Sequence, residues 1–408
     1  MKIGYFISSA AAGLLLLAGC RNALEYKPAI YITEAQTTDA MTMVVDGKGG
    51  SVSFTVTAAQ PVKRDTGVWL EVAPDMVADY NRKYGRSCLP VTEYSFAADK
   101  VSIAAGRNVS ETVEVFIEQE LESGSFYCLP VRIASTDGDM DILEPSRVFY
   151  IVMRAPVRSK AVKIGASNMI CVPTFAANPT FGGHDLKALP ELTLECRVMV
   201  SAFQSSDPYI SSIMGNEGQV CMRFGDVKIG KDVLQVCKGD YQPAVTASPC
   251  LTDTWYHVAA VWSRSSLRVY IDGRLQAETP HQGETVDIAS VWLNNANSPS
   301  AGGMGFGLGA ASIYNGNRPL NGYLAEARVW TRALSSAEIA SNNDLVVVDP
   351  QSPDLLAYWH LDEAEKLSAR YQDEYFRKYH NNRVPDATGH GYDAYGGSSA
   401  PSFVDTVW

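Results

Sequence analysis

The chain has 408 residues, of which 46% are hydrophobic and 19% charged, and its formal net charge at pH 7 is −11. This length suggests two or three domains, and the hydrophobic content is ordinary for globular protein with a sizeable core. Because an acidic surface repels phosphate backbones, the charge argues against nucleic acid as a partner.

The N-terminus has the pattern of a secretory leader. Lys2 supplies a positive charge, and the apolar segment after it ends in the letters LAGC at Cys20. This ending resembles the lipobox of bacterial lipoproteins, in which the cysteine receives lipid. The resemblance implies a signal peptide at 1–19, an acylated Cys20 and a tether at 20–28. We therefore expect lipid anchoring to the outer membrane, on the cell surface or the periplasmic face; the alternative is an ordinary leader with a chance cysteine.

Seven further cysteines follow Cys20. Their odd number and the lack of a Cys-x-x-Cys pair argue against a zinc site and against a complete disulfide framework. Cys88 and Cys128 both precede Leu-Pro, which makes them a candidate pair for one bridge. Cys196 alternates with apolar residues and is predicted to face the core.

Residues 29–154 form the first predicted domain. Short apolar runs separated by turns with Gly, Asp and Asn are typical of a small antiparallel β-sandwich. A short helix is predicted over Pro74–Tyr84, because proline suits a first helical turn and an apolar patch recurs at helical spacing. The predicted strands are Ser51–Thr57, Val68–Val72, Lys100–Ile103, Thr112–Ile117, Tyr127–Ile133 and Arg147–Met153.

Three segments of this domain are distinctive: ADYN at 78–81, VSIAAG at 101–106 and YCLPV at 127–131. With them the domain resembles the N-terminal sandwich of lipoproteins from glycan-utilising gut bacteria. The resemblance implies an immunoglobulin-like β-sandwich of unknown function that often precedes a carbohydrate-binding or glycosidase domain. The simplest interpretation is a spacer that lifts the second domain off the membrane.

Residues 155–160 are a predicted linker, and residues 161–408 form the second domain. Its most distinctive stretch is Thr254–Leu275, two apolar runs joined by a polar loop and closed by Asp272-Gly273, a strong signal for a tight turn. Both faces of the first run are apolar, so this strand is predicted to lie inside a sheet. The other predicted strands are Met169–Val172, Leu192–Val200, Ile210–Met214, Gln219–Phe224, Val233–Cys237, Val291–Leu293, Met304–Leu308, Leu324–Trp330 and Leu356–Leu361.

So many strands predict two large sheets packed face to face, interrupted by two helices. One helix begins at Ser335, which has capping-box spacing to Glu338. The other is predicted over Ala364–His380, where leucine and tyrosine recur every four residues, as on one face of a helix.

Several segments of the second domain occur in a consistent order, among them WYHVA at 255–259, VYIDG at 269–273 and LNGYLAEARVW at 320–330. Together they resemble the laminin-G-like branch of the concanavalin A-like jelly rolls. The predicted fold class is therefore all-β, with an immunoglobulin-like β-sandwich followed by a concanavalin A-like jelly roll.

Some relatives of this type bind a structural calcium ion at the jelly-roll rim, and calcium needs several oxygen ligands. Glu326 and Asp386 are the candidates here, although neither lies in a dense carboxylate loop. An ion pair between Glu326 and Arg328 on one strand face is favoured over calcium. No cofactor is certain.

Enzymatic activity is not expected. Jelly rolls that cleave glycans place carboxylates close together on a strand, about 5 Å apart for retention of configuration. Glu191 and Glu195 share a strand face but lie roughly 13 Å apart at about 3.3 Å per residue. His257, inside the central strand, is predicted to be a structural, hydrogen-bonded imidazole.

Ligand binding is expected at loops that combine aromatic and amide side chains, because sugars offer apolar faces fringed with hydroxyls. The alternative is that these residues serve turns, and that the tryptophan belongs to the core. The candidates are Tyr209, Tyr241, Trp292, Asn294, Tyr314 and Asn317.

These features predict a lipid-anchored protein outside the cytoplasm that binds glycan or glycoconjugate without cleaving it. The first alternative is a protein-binding module, either an adhesin or a component of envelope assembly, since laminin-G-like domains also bind proteins. A glycosidase with an unrecognised carboxylate pair is less favoured.

The variant Cys20→Ala tests the anchor. We expect it to lose incorporation of an alkyne-labelled fatty acid and to leave the membrane fraction, because lipid chains provide the proposed attachment. Gel fluorescence and fractionation of cells measure both effects, with Cys88→Ala as the control that keeps label and location. Label that persists in Cys20→Ala would contradict the lipoprotein assignment.

Overall fold

The computed structural model describes residues 27–47, 49–97, 99–122, 124–217, 219–238, 243–293, 303–310, 318–373, 378–396 and 400–408. The chain divides into two compact units, Met1–Ala155 and Pro156–Trp408. Strands dominate both units, which confirms the all-β fold class. Within the described ranges, no helix combines the length and apolarity that a membrane crossing requires.

The N-terminal unit is a β-sandwich. Its helix α1 (Val77–Tyr84) follows a 3-10 turn at Pro74–Met76, as predicted, and ends at Gly85, whose φ of 62° is left-handed. Two further 3-10 turns are Glu34–Gln36 and Glu144–Ser146. The strands are β1 (Ala29–Ile32), β2 (Ala40–Val44), β3 (Gly50–Phe54), β4 (Val56–Ala58), β5 (Thr66–Val72), β6 (Leu89–Pro90), β7 (Tyr94–Phe96), β8 (Lys100–Ile103), β9 (Val113–Ile117), β10 (Phe126–Thr136), β11 (Asp141–Ile142) and β12 (Val148–Arg154).

The strands of this unit form three sheets around one core. Their orders are β2-β12-β10-β5-β8, with β6 added on β10, then β3-β9-β7 and β11-β1-β4. Alternate residues of each sheet, such as Phe54, Val115 and Leu129, are buried in a common hydrophobic cluster.

The predicted bridge between Cys88 and Cys128 is wrong. Both thiols are buried and form no disulfide, and none of the other five cysteines of the described residues is in a disulfide either. The parallel pairing of β6 with β10 places Pro90 opposite Cys128, which leaves Cys88 two residues away from that position.

The C-terminal unit contains helices α2 (Thr174–Ala177) and α3 (Ser336–Leu345). The first strand of this unit begins at Arg158, so it includes residues 158–160, the last three of the predicted linker. The strands are β13 (Arg158–Ile164), β14 (Ile170–Cys171), β15 (Thr180–Phe181), β16 (His184–Asp185), β17 (Leu192–Val200), β18 (Ser211–Gly215), β19 (Cys221–Asp226), β20 (Ile229–Cys237), β21 (Ala244–Val245), β22 (Trp255–Trp262), β23 (Ser266–Ile271), β24 (Arg274–Pro280), β25 (Trp292–Leu293), β26 (Gly303–Met304), β27 (Gly307–Leu308), β28 (Gly322–Trp330), β29 (Leu355–Trp359), β30 (Glu365–Asp373), β31 (Lys378–Val384), β32 (Ala394–Gly396) and β33 (Phe403–Val407).

Two large sheets enclose the main core of this unit. The eight-stranded sheet has the order β24-β23-β22-β17-β28-β13-β33, with β29 on β28, and the nine-stranded sheet has the order β21-β20-β19-β18-β27-β14-β32-β31-β30. Cys196 and Trp262 from the first sheet and Met222 from the second are buried in one cluster between them. The small pairs β15-β16 and β25-β26 complete the unit.

The predicted meander is confirmed as β22, β23 and β24. Strand β22 lies between β17 and β23, inside its sheet. Asp272 and Gly273 have φ values of 48° and 74°, as a two-residue turn of this kind requires. A Cβ on Gly273 would lie 2.9 Å from the Cα of Ala340, so packing against α3 also excludes a side chain there.

The helix predicted over Ala364–His380 is wrong, because the structure has the hairpin β30–β31 at the edge of the nine-stranded sheet. Residues four apart share a face on a strand as well as on a helix, so that spacing could not separate the two. Strand β31 also pairs with β32 within the nine-stranded sheet, and this pairing favours a strand over a helix.

The outer face of the central strands of the eight-stranded sheet is also buried, under α3 and the segment that follows it. Ala259, Tyr270 and Ile339 belong to this second hydrophobic cluster. The capping box at the start of α3 is confirmed: the Ser335 hydroxyl accepts from the backbone N–H of Glu338 at 3.3 Å, and the Glu338 carboxylate accepts from the backbone N–H of Ser335 at 2.8 Å.

A charged network lies within this second layer, centred on the wholly buried Glu195. Its carboxylate accepts hydrogen bonds from His257 Nε2 at 3.1 Å, Trp330 Nε1 at 2.8 Å and Asn342 Nδ2 at 2.9 Å. Arg328 Nη1 lies 3.4 Å from the same carboxylate. These contacts join β17, β22, β28 and α3, and they confirm that His257 is structural.

Arg328 forms its ion pair with Glu195 and not with Glu326, contrary to the prediction. Glu326 has a φ of 53° and lies at a bulge, where strand pairing shifts register between β17 and β28. A bulge adds a residue and so changes which face the next side chains occupy. The guanidinium of Arg328 instead donates to the carbonyl of Glu326 at 3.3 Å and to that of Val346 at 2.7 Å.

The network contains one anion, one neutral imidazole and one cation. Burial alone would raise the pKa of Glu195, but Arg328 and the hydrogen bond from His257 outweigh it and lower that pKa to about 2. Burial lowers the pKa of His257, and the charges of Arg328 and Arg197 add to this shift while Glu195 opposes it. His257 is therefore neutral, with its Nε2–H donated to Glu195.

Glu195→Ala should lower the free energy of unfolding by about 3–5 kcal/mol, because it leaves Arg328 as a buried charge without its partner. Glu191→Ala is the control on the same segment, since Glu191 pairs with the largely exposed Arg264 at 3.1 Å. That variant should cost about 0–1 kcal/mol. Chemical denaturation measures both, and similar losses would refute the central role of Glu195.

Acid should destabilise the protein partly through His257. Its folded-state pKa lies below the ordinary 6.5, so the unfolded chain binds a proton that the folded chain does not, and stability falls as the pH drops below that value. In His257→Gln the amide can still donate to Glu195 but does not titrate. We expect a flatter dependence of the unfolding free energy between about pH 7 and 5; a slope equal to that of the parent would contradict this assignment.

Candidate functional site

The nine-stranded sheet presents polar side chains on the face turned away from the core. Met222 and Phe224 of β19 point into the core, so Arg223 between them faces the other way. Register pairs Arg223 with Ser212 on β18 and with Gln235 on β20. Directly opposed residues share a face, so these three form a polar row across the sheet.

Charged residues from neighbouring turns surround this row. Arg223 forms ion pairs with two carboxylates: its Nη1 lies 3.4 Å from Oε1 of Glu217, and its Nη2 lies 2.5 Å from Oδ2 of Asp226. Arg318, from a distant part of the chain, contacts the same Glu217 carboxylate. We call Glu217, Arg223, Asp226, Gln235 and Arg318 the polar cluster.

The polar cluster has hydrogen-bonding capacity that the described residues do not use. Gln235 is 1% exposed; its amide donates to the carbonyl of Gly225 at 2.7 Å, while its Oε1 has no partner in the described part of the chain. Three further buried atoms have no hydrogen-bond partner among the described residues: Oε2 of Glu217, Nε of Arg223 and Nε of Arg318. Both acceptors and donors are therefore present.

Asn216, beside the cluster, adds another acceptor. Its side chain is wholly buried and donates to the carbonyl of Ser290 at 2.9 Å, but its Oδ1 has no partner among the residues the structure describes. A buried polar atom without a partner costs about 1–3 kcal/mol. Such a concentration on one face calls for a functional explanation.

Tyr209 lies at the margin of the polar cluster. Its carbonyl oxygen packs against Gly225, where an added Cβ would lie 2.2 Å from it, and Gly225 also accepts the amide of Gln235. Tyr209 is 39% exposed and has a φ of 63°. The structure therefore brings this predicted ligand residue next to the polar cluster.

The charges of the cluster balance. Two arginines face two carboxylates, and Asp207 from the Tyr209 loop interacts with Arg318. Burial lowers the pKa of Arg318, and the Asp207 carboxylate opposes that shift. The site therefore offers directed hydrogen bonds without a large excess of either charge.

Trp292 is the only other predicted ligand residue whose backbone is described. It lies in β25 and pairs with Met304 of β26, outside both large sheets. Tyr241, Asn294, Tyr314 and Asn317 lie outside the described residues.

The residues of the polar cluster were not identified from the sequence. A signal was present, because Arg223 and Gln235 each interrupt a run of buried apolar residues, Cys-Met-Arg-Phe and Leu-Gln-Val-Cys. Glu217 and Arg318 carried no such signal, since only folding brings these distant residues together.

The two candidate calcium ligands of the sequence have protein partners. Glu326 accepts from the hydroxyl of Tyr358 and lies 3.3 Å from His360 Nδ1. Asp386 accepts from the backbone N–H of Tyr358 at 3.0 Å and from both donors of Thr388. Both carboxylates stabilise the fold, and calcium at this rim stays the alternative that the sequence favoured less than an ion pair.

Among the described residues, no group of three or more His, Cys, Asp or Glu side chains is arranged to hold a metal ion. A cavity of about 600 Å³ does lie at the β13–β33 edge. It is lined by charged and small residues of the described chain, including Lys160, Asp362 and Asp405, and by no aromatic ring. Its lining therefore lacks the aromatic platform against which a sugar ring packs.

Comparison with known proteins agrees with this architecture. Residues 177–340 match the family model of the concanavalin A-like lectin/glucanases superfamily. The C-terminal unit is a concanavalin A-like jelly roll. Residues 26–140, in the β-sandwich, match a second family model that is described only as an N-terminal domain. No curated protein matches the chain.

Several solved structures are similar to this chain. A Bacteroides ovatus protein provisionally named as carbohydrate-binding has 24% identity and a TM-score of 0.49, over 92% of this chain and 97% of its own. A heptameric SAP-like pentraxin from Limulus polyphemus has 14% identity and a TM-score of 0.31, over 45% and 82%. Domain 4 of the arabinanase AbnA from Geobacillus stearothermophilus, solved with arabinotriose, has 15% identity and a TM-score of 0.28, over 40% and 68%.

Proposed function

We propose that this protein is a lipid-anchored, non-catalytic glycan-binding protein of the cell envelope, and that its jelly roll binds a neutral glycan at the polar cluster. The observation that carries the proposal is a set of buried donors and acceptors on one face of the nine-stranded sheet that have no partner among the described residues, beside an exposed tyrosine. The lectin-like fold of the domain supports it.

The chemistry of the cluster suits sugar hydroxyls. Each hydroxyl both donates and accepts, so, once the side chains that bury them move aside, it can bond an acceptor such as Gln235 Oε1 and a donor such as Arg223 Nε. The ring of Tyr209 offers an apolar surface against which the carbon face of a sugar can pack. A bound glycan would thus satisfy atoms that are costly to leave unpaired.

The charge of the cluster favours a neutral ligand. Glu217 and Asp226 already engage Arg223, and Glu217 also engages Arg318, so neither guanidinium is a free anion site. The acidic chain as a whole opposes anionic ligands as well. We therefore expect neutral polysaccharides to bind in preference to sialylated or sulfated ones.

Anchoring rests on the sequence around Cys20, and the N-terminal sandwich would act as a spacer. The absence of catalysis is proposed because both carboxylates of the cluster are engaged in ion pairs with arginine, whereas a glycosidase needs carboxyl groups that can act on the glycosidic bond.

Gln235→Met tests the site. It removes the amide while keeping the length of the side chain, so we expect the dissociation constant for a bound glycan to rise roughly tenfold, equivalent to about 1.4 kcal/mol. Tyr209→Ala should weaken binding to a similar extent by removing the apolar platform. Affinity electrophoresis on neutral polysaccharides, followed by calorimetry with oligosaccharides from the retained polymer, measures both.

The matched control is Gln276→Met, on the exposed face of edge strand β24, which should bind like the parent. Denaturation curves should show that Gln235→Met keeps the stability of the parent. No retention of the parent protein on any glycan would refute the proposed function, whereas binding that Gln235→Met leaves unchanged would refute only the site. Release of reducing sugar would show that the protein is an enzyme.

A further inference from the structure

Two cysteines lie face to face on the nine-stranded sheet. Cys221 on β19 is paired directly with Cys237 on β20 in the antiparallel register. Directly opposed residues of antiparallel strands have Cα atoms about 4.5–5.5 Å apart, within the range of about 4.4–6.8 Å that a disulfide allows. The thiol of Cys237 lies 3.8 Å from the carbonyl oxygen of Cys221, so its side chain is turned toward the partner residue.

The two thiols differ in exposure and in acidity. Cys221 is buried, whereas Cys237, the last residue of β20, is partly exposed. The neighbouring Cys221 thiol, helped by the charge of Arg223, lowers the pKa of Cys237 below its ordinary value against the opposing effect of burial. The proximity of Cys237 and burial raise the pKa of Cys221. Cys237 is therefore the nucleophilic member of the pair.

The other described thiols lack this combination. Burial raises the pKa of Cys88 and of Cys250 to about 11 each, and it also raises the pKa values of Cys128 and Cys196. A thiol that stays protonated in an apolar site reacts slowly with disulfides.

We propose that Cys221 and Cys237 are a redox-active pair that forms a reversible cross-strand disulfide by exchange with an external disulfide. The thiolate of Cys237 attacks one sulfur of the disulfide, forming a mixed disulfide and releasing one thiolate. Cys221 then loses its proton and attacks the sulfur of Cys237, which releases the second thiol. The protein loses two electrons and two protons, and the external disulfide is reduced to two thiols.

The bond would tie β19 to β20 two residues away from Arg223 and Gln235. The inference does not depend on glycan binding, because it rests on strand register and thiol chemistry alone.

Peptide mapping tests the bridge directly. Trypsin cleaves after Arg197, Arg223, Lys231 and Lys238, so Cys221 and Cys237 fall in separate peptides that each contain one cysteine. The full chain, purified in reductant and detergent, is incubated with mixtures of oxidised and reduced glutathione, alkylated and digested. We expect these two peptides to be joined in oxidising mixtures and separate again after dithiothreitol.

Single variants test the order of attack. Cys221→Ala should accumulate a glutathione adduct on Cys237, because the resolving thiol is missing, whereas Cys237→Ala should react at least tenfold more slowly at residue 221. Cys250→Ala is the control and should form the same linked peptides as the parent. If Cys221→Ala does not fold, the alkylation rates of Cys237 and Cys221 in the parent protein show which thiol reacts first.

Two results would overturn the proposal. One is a parent protein in which residues 221 and 237 remain alkylatable in oxidising mixtures that form glutathione adducts elsewhere. The other is a stable mixed disulfide at Cys237 of the parent that never resolves, which would mean that Cys221 cannot reach it.

Discussion

The carboxylate of Glu195 lies where strands β17, β22 and β28 meet helix α3. A wholly buried carboxylate would cost several kcal/mol, so its donors from β22, β28 and α3 must all be in place at once. Arg328 extends this requirement, since it also binds the carbonyls of Glu326 and Val346, two residues with positive φ. One buried ion pair therefore fixes the position of α3 and stabilises two backbone positions with positive φ, one at the bulge of β28 and one at the end of α3.

The central strands of the eight-stranded sheet are buried on both faces. One face packs against the nine-stranded sheet, and the other is covered by α3 and the segment after it. The polar and thiol groups to which we assign functions therefore lie on the nine-stranded sheet. Its face turned away from the core carries the polar cluster and the pair Cys221 and Cys237. Both features arise from register, because directly opposed residues on β19 and β20 share a face.

Local signals predicted local structure well. Asp272-Gly273 specified its turn through backbone sterics, the Ser335 capping box specified the start of α3, and alternation placed Cys196 in the core. The helix predicted over Ala364–His380 was wrong, since residues spaced by four suit either kind of element and pairing with β32 decided between them. The ligand site was sought in loops, where binding residues are common, and only Tyr209 of those candidates is seen beside the polar cluster.

The sequence by itself determined the all-β class and the structural role of His257 through short-range patterns, and it indicated the jelly-roll type through segments that resemble that family in a consistent order. Tertiary structure alone decided the partner of Arg328, the composition of the polar cluster and the pairing of Cys221 with Cys237. Those contacts join residues far apart in the chain, or depend on a bulge that changes which face a side chain occupies. Spacing along one strand carries no information about what the neighbouring strand places opposite it.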